Sequence, residues 1–141
     1  MQPEEQLIKE RIKKLNELRK VGVNPYPYKF NVKNYSSEIL EKYKKLGKEG
    51  KAKENVSVAG RIITLRPMGK ITFGNLQDYT GRIQFFINES EIGKKDYEIL
   101  KLLDLGDIIG VNGNIFRTKA GEITIFVKKV ELLSKSLRPL P

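Results

Sequence analysis

Leu7, Ile8, Ile12, Leu15 and Leu18 recur at spacings of three and four through "EEQLIKERIKKLNELRKV", residues 4–21. That period predicts a helix with one apolar stripe. Lys9, Lys13, Lys14 and Lys20 fall mainly off the stripe, and Glu4 and Glu5 suit its positive N-terminal end. Gly22 is placed to end it. "NPYPYKF" (24–30) holds two closely spaced prolines and must be extended. Ser36 or Ser37 then caps a short helix, "SEILEKYKKLG", that ends at Gly47. "GKEGKAKEN" (47–55) has almost no apolar content and reads as a mobile linker.

From Val56 the period changes to that of strands. "VSVAGRIITLR" (56–66) is rich in β-branched residues and stops at Pro67. Strands follow at 71–77 and 82–88 around "DYTG", then a helical stretch at 95–105 through Tyr97, Leu100 and Leu103. Two further strands, 107–118 and 122–133, flank a three-residue loop whose Gly121 occupies the position that needs positive φ. Five strands with a helix between the third and fourth is the element order of an OB barrel; an SH3-like barrel lacks that helix. The expected fold is therefore an all-β core with flanking helices. A five-stranded Greek-key OB barrel occupies 56–135, after a helical extension and linker over 1–55 and before a connecting segment at 136–141.

The first hairpin poses a chemical question. With Gln77 opposite Arg82, Asn75 pairs with Gln84 and Phe73 with Phe86, while Leu76 faces Ile83 and Gly74 faces Phe85. Opposed residues share a face. Leu76, Ile83, Phe85 and Ile87 make a core face on which Gly74 leaves room for a ring. The other face carries Phe73, Asn75, Gln77, Arg82, Gln84 and Phe86, too polar for a core and too aromatic for water alone. Strands two and three carry the ligand face of OB folds. Exposed rings there stack on bases, and amides read base edges. The alternative is that Phe73 and Phe86 lie half-buried beneath the N-terminal helix or a dimer partner. In the last hairpin, pairing Ile115 with Ile125 in the core sets Thr118 and Glu122 on the opposite face. A carboxylate beside a phosphate-binding groove suits selective base reading better than nonspecific binding.

Charge sharpens the picture. The 141 residues contain 27 Lys and Arg against 17 Asp and Glu, a net charge of +10 carried by both the helical and the strand-rich parts. A basic surface favours a polyanionic partner, either nucleic acid or an acidic membrane surface. With no cysteine and no histidine, disulfides and thiolate metal sites are excluded, and the commonest acid–base catalyst is missing. No apolar run approaches the roughly 20 residues of a spanning helix. The start has no signal-peptide pattern. An intracellular, cytoplasmic protein is expected.

"ELRKVGVNPYPYKF", "VSVAGRIITLRPMGKITFGNLQDYTGRIQFFI", "LLDLGDIIGVNGNIFRTKAGEITIFV" and "LLSKSLRPLP" together resemble the N-terminal, anticodon-binding region of class II lysyl-tRNA synthetases. The resemblance implies a barrel that grips the anticodon loop of tRNA(Lys), with a catalytic domain following "LRPLP". It further implies ATP and Mg2+ in the longer enzyme, none in this region, and a homodimer. Carried over by spacing, the pocket for the central uridine corresponds to Arg66, Phe73, Gln84 and Glu122. The resemblance implies that Phe73 stacks on the base, Gln84 and Arg66 address its edge, and Glu122 completes the network. Asn75, Arg82, Phe86, Lys70 and Lys13 are further candidate RNA contacts, although Gly74 and Asn75 stand at positions that vary. Aspartyl and asparaginyl synthetases share the barrel and a central uridine; "NPYPYKF" and "LLSKSLRPLP" favour the lysyl branch. The rival readings are a free-standing single-strand-binding OB protein, an enzyme acting alone, and a protein-binding scaffold. No phosphate loop or catalytic constellation is present, so this region by itself is expected to be catalytically silent.

Overall fold

The computed structural model describes residues 3–20 and 30–136. Its elements are helices α1 (Pro3–Lys20) and α2 (Ser36–Lys42), strands β1 (Lys51–Met68), β2 (Ile71–Asp78) and β3 (Gly81–Asn88), helices α3 (Glu89–Ile92) and α4 (Lys94–Leu100), and strands β4 (Ile108–Arg117) and β5 (Ile123–Ser134). The strands close into a barrel in the order β1-β2-β3-β5-β4. All pairings are antiparallel except β3 with β5, whose parallel contact at Gln84–Thr124, Phe85–Ile125 and Phe86–Phe126 closes the ring. β1 serves both neighbours, pairing with β4 and then β2, and a bulge between Ile62 and Thr64 helps it turn the corner.

The alternation read in the first hairpin is the one observed. Gln77 pairs with Arg82 and Gly74 with Phe85. Leu76, Ile83, Phe85 and Ile87 are all buried, with Phe85 at 0% exposure. Gly74 is required here: a Cβ would collide with the Phe85 ring and lie 2.6 Å from the Thr64 carbonyl oxygen. Gly121 has φ +93°, as the turn before β5 demands. Tyr97 and Leu100 of α4 and the following Leu103 add to the core, and the Tyr97 hydroxyl meets Thr72 Oγ1 at 3.0 Å.

Several boundaries differ from expectation. The stretch 51–55, expected as linker, is the first part of β1, with Lys51 paired to Phe116 and Asn55 to Asn114. Its backbone pairing needs no apolar residue, so composition gave no sign of it. The second helix stops at Lys42, not Gly47, and Tyr43 is its C-cap. Ser36 is its first helical residue and not its cap. The Asp78 carboxylate does the capping from the β2–β3 turn, accepting Ser36 N–H at 2.7 Å and the Ser36 hydroxyl at 2.7 Å. The helix expected at 95–105 is α4, which starts at Lys94 and stops at Leu100 before a turn, with the short α3 preceding it.

α1 leaves part of its apolar stripe open to solvent and keeps Ile8 half-buried. Leu7 and Ile12 are 39% and 41% exposed, whereas Arg11 is only 7% exposed. The side chains of Leu15 and Leu18, the Gly22 stop, residues 24–29 and "LRPLP" lie outside the described residues. Asp104 explains the orientation: it receives Lys14 Nζ at 2.6 Å and lies 3.9 Å from Arg11 Nε, while Arg11 Nη1 donates to Ser136 Oγ at 3.4 Å. Behind Asp104 sits a fully buried pair, Lys135 and Asp107, at 2.7 Å. Lys135 Nζ also donates to Asp104 at 2.8 Å and to the Leu102 carbonyl at 3.0 Å, and Ser136 N–H donates to Asp107 at 2.8 Å. This knot joins α1, the connection before β4 and the end of β5.

Candidate nucleic-acid interface

Period-two alternation that buries Phe85, Ile115 and Ile125 must turn their neighbours outward. Pairing aligns those neighbours in two rows across the sheet. One runs Arg66, Phe73, Phe86, Phe126, Asn114 over β1, β2, β3, β5 and β4. The next runs Asn75, Gln84, Thr124, Phe116, Lys51 over β2, β3, β5, β4 and the start of β1. Four half-buried rings meet in this field. Phe86 is the hub, with centroids 5.0 Å from Phe73, 5.5 Å from Phe126 and 6.0 Å from Phe116, and Phe116 lies 5.9 Å from Phe126. Tilted and edge-on rings at such distances attract one another. They hold each other in place while leaving faces open.

These rings floor a cavity of about 1170 Å³ whose rim includes Arg66, Gln84 and Glu122. Gln84 is held by its side chain and Glu122 by its backbone. Gln84 Nε2 donates to Thr124 Oγ1 at 3.1 Å, and Thr124 Oγ1 donates onward to the Glu122 carbonyl at 3.1 Å. The Gln84 carboxamide thus keeps an oxygen acceptor and a second N–H donor for a ligand. Glu122 stands in a tight turn: its N–H donates to Thr118 Oγ1 at 3.1 Å, and Thr118 N–H donates to its carbonyl at 3.0 Å. Arg117 braces that turn from behind, donating to the carbonyls of Gly121, Leu46 and Lys44 at 2.7, 2.6 and 2.9 Å. Arg66 is exposed at the cavity's edge.

Arg66, Phe73, Gln84, Glu122 and Phe86 are therefore brought together, and Thr118 lines the same cavity. Asn75 shares the face but does not line the cavity, its amide N–H donating to Thr64 Oγ1 at 2.9 Å. Arg82 is exposed beyond it, opposite Gln77. Lys70, exposed in the β1–β2 turn, and Lys13, exposed on α1, do not line it either. Among the described residues none from α1 lines it. Phe73 and Phe86 are half-buried by neighbouring rings. Sequence reading missed Phe116, Phe126, Lys51, Lys53, Asn114 and Lys128, all on the lining. The two phenylalanines were within reach, because each follows a residue of the Ile115–Ile125 core pair.

A rigid platform of open rings, a braced amide and a carboxylate, set in a basic surface, suits flat heterocycles on a polyanionic chain. Comparisons with known proteins agree. A family profile for OB-fold nucleic acid binding domains, of the tRNA anticodon type, matches residues 56–133. The chain is 43% identical over 136 residues to a lysine–tRNA ligase of Carboxydothermus hydrogenoformans, covering 96% of this chain and 27% of that protein. It is 45% identical to one of Thermosipho africanus, over 94% of this chain and 27% of the relative. It is 47% identical to one of a Thermoanaerobacter species, over 96% and 26%. The chain thus spans about a quarter of the length of the curated relatives it matches. It belongs to the OB-fold nucleic-acid-binding domain family, as an anticodon-binding region of the lysyl-tRNA synthetase kind.

Proposed function

We propose that the cavity on the outer face of the five strands receives the anticodon loop of tRNA(Lys) and selects its central uridine. The observation that carries this reading is the meeting of Arg66, Phe73, Gln84 and Glu122 around one cavity. The uracil ring stacks on Phe73. Uracil offers one N–H and two carbonyl oxygens; the Gln84 oxygen accepts from that N–H, and its free N–H or the Arg66 guanidinium donates to a carbonyl. Glu122 completes the edge network. In cytosine the ring nitrogen is an acceptor and the neighbouring carbonyl is replaced by an amine, so the same groups face like with like.

The domain serves a longer, homodimeric, cytoplasmic lysine–tRNA ligase that attaches lysine to tRNA using ATP. Similarity to the lysine–tRNA ligases supports the lysine–tRNA ligase assignment within that reading. No described helix is long and apolar enough to cross a membrane. Among the described residues no group of three or more His, Cys, Asp or Glu side chains is arranged to hold a metal ion. The test is titration of the chain with a lysine anticodon stem-loop and with its central uridine changed to cytidine. Unpaired polar groups cost about 1–3 kcal/mol, roughly a 5- to 150-fold weaker complex. Equal affinity for the two refutes uridine selection. Equal affinity for any single strand favours a free-standing, sequence-indifferent binder.

A further inference from the structure

The cavity is larger than one base requires. Ligand pockets of roughly 300–1,000 Å³ already enclose drug-sized molecules, whereas this one measures about 1170 Å³. Phe73 stands at one side of its floor. Across Phe86 lie Phe116 and Phe126, half-buried and 5.9 Å apart. This second half has its own electrostatics. Lys51 is paired in register with Phe116, and Lys53 and Lys128 line the same wall. Over the whole cavity five cationic side chains face two carboxylates. Lys51 and Lys53 belong to a segment with almost no apolar residue, yet Asn114 holds it against the rings. Its Nδ2 donates to the carbonyls of Lys53 and Glu54, both at 3.0 Å.

We propose that Phe116 and Phe126 form a second base platform, which takes a nucleotide flanking the central one while Lys51, Lys53 and Lys128 hold its phosphate. This rests on the reading that the cavity takes single-stranded RNA. Stacking on open rings is indifferent to base identity, so the second platform adds affinity and sets the strand's path. Selection stays with Gln84 and Glu122. Asn114 is a positioning residue that fixes the lysines over the rings.

The test is a cycle between protein and RNA. The stem-loop is made intact, with an abasic central position, and with an abasic site at either flanking position; each is titrated against the wild type, Phe73→Ala and Phe126→Ala. One flanking abasic site is expected to weaken wild-type binding about 5- to 150-fold and to have almost no further effect in Phe126→Ala. The central abasic site keeps its full effect there. Phe126→Tyr retains binding. A flanking abasic site that costs the same in wild type and Phe126→Ala overturns the proposal, as does a folded Phe126→Ala that binds as wild type. A second measurement avoids core-adjacent residues: Lys51→Gln with Lys53→Gln, both exposed, lowers the slope of log affinity against log salt by about 0.7 per lost phosphate contact. An unchanged slope also counts against it. The two readings fail separately. Loss of uridine selectivity leaves the Phe126 cycle readable on any single strand, and failure of that cycle leaves the uridine comparison intact.

Discussion

Lys135→Met removes a cation from the best-enclosed ionic site in the described residues. The Lys135 and Asp107 side chains are both 0% exposed and meet at 2.7 Å. Methionine nearly fills the same space, so little cavity cost is added. What changes is the charge balance. Asp107 keeps the N–H groups of Asp104 and Ser136, each at 2.8 Å, but loses the cation it pairs with among the described residues. The Leu102 carbonyl loses its donor, and Asp104 retains Lys14. Stranding one member of a buried pair costs about 3–5 kcal/mol, a large share of a total near 5–15 kcal/mol. At about 2–4 °C per kcal/mol for a chain of this size, Tm falls by roughly 6–20 °C. The assay is thermal unfolding followed by circular dichroism at neutral pH, for Lys135→Met, Asp107→Asn and the double variant. Neutralising Asp107 removes the stranded charge, so the double variant loses less than the sum, by about 0.5–3 kcal/mol. Strict additivity, or a Lys135→Met whose Tm barely moves, refutes the account of the knot.

Acid should act through Asp104 and Asp78. Burial pushes both carboxyls up. Lys135 and Lys14 beside Asp104, and the Thr80 and Ser36 donors beside Asp78, outweigh it and hold both below the ordinary value of 3.8. Their stabilisation is complete above 3.8 and is lost as pH falls through the lower folded values. Tm should therefore hold to about pH 5 and decline below about pH 4, less steeply in Asp104→Asn and Asp78→Asn; identical declines contradict the assignment. Phe73→Ala should weaken stem-loop binding by about 1–3 kcal/mol with a modest loss of Tm, whereas Phe85→Ala loses about 3–5 kcal/mol of stability. Comparable unfolding of the two would mean the faces are exchanged. Log affinity for the stem-loop should fall linearly with log salt, by about 0.7 per neutralised phosphate; a flat dependence makes the +10 charge a matter of solubility.

The barrel was legible because its signals are local. Gly74 opposite Phe85 fixes a register that alternation alone could slip by one, and Ile115 opposite Ile125 does the same for the last hairpin. What escaped is long-range or carried by polar groups. α1 turns Arg11 inward because Asp104, far along the chain, attracts it; helical periodicity ranks Leu7 and Ile12 higher and cannot know of that carboxylate. Asp78 caps α2 across the fold, where local rules look to Ser36 or Ser37. The strand at 51–55 is held by backbone pairing and Asn114, so its composition reads as linker. Phe116 and Phe126 show a different limit. Alternation places each on the outward face, but only the β3–β5 closure brings them beside Phe86.

The most direct test of the proposed RNA-binding face is an amide footprint. The chain, labelled with nitrogen-15, is titrated with the lysine anticodon stem-loop, and shifts are mapped on the backbone. The account predicts perturbations concentrated at Phe73, Gln84, Phe86, Phe116, Glu122 and Phe126, extending to Lys51 and Lys53. Ser36, Tyr79 and Arg82 at the other end of the hairpin should stay unmoved. Perturbations confined to α1 or to the Tyr79 turn, with a silent ring platform, would contradict it.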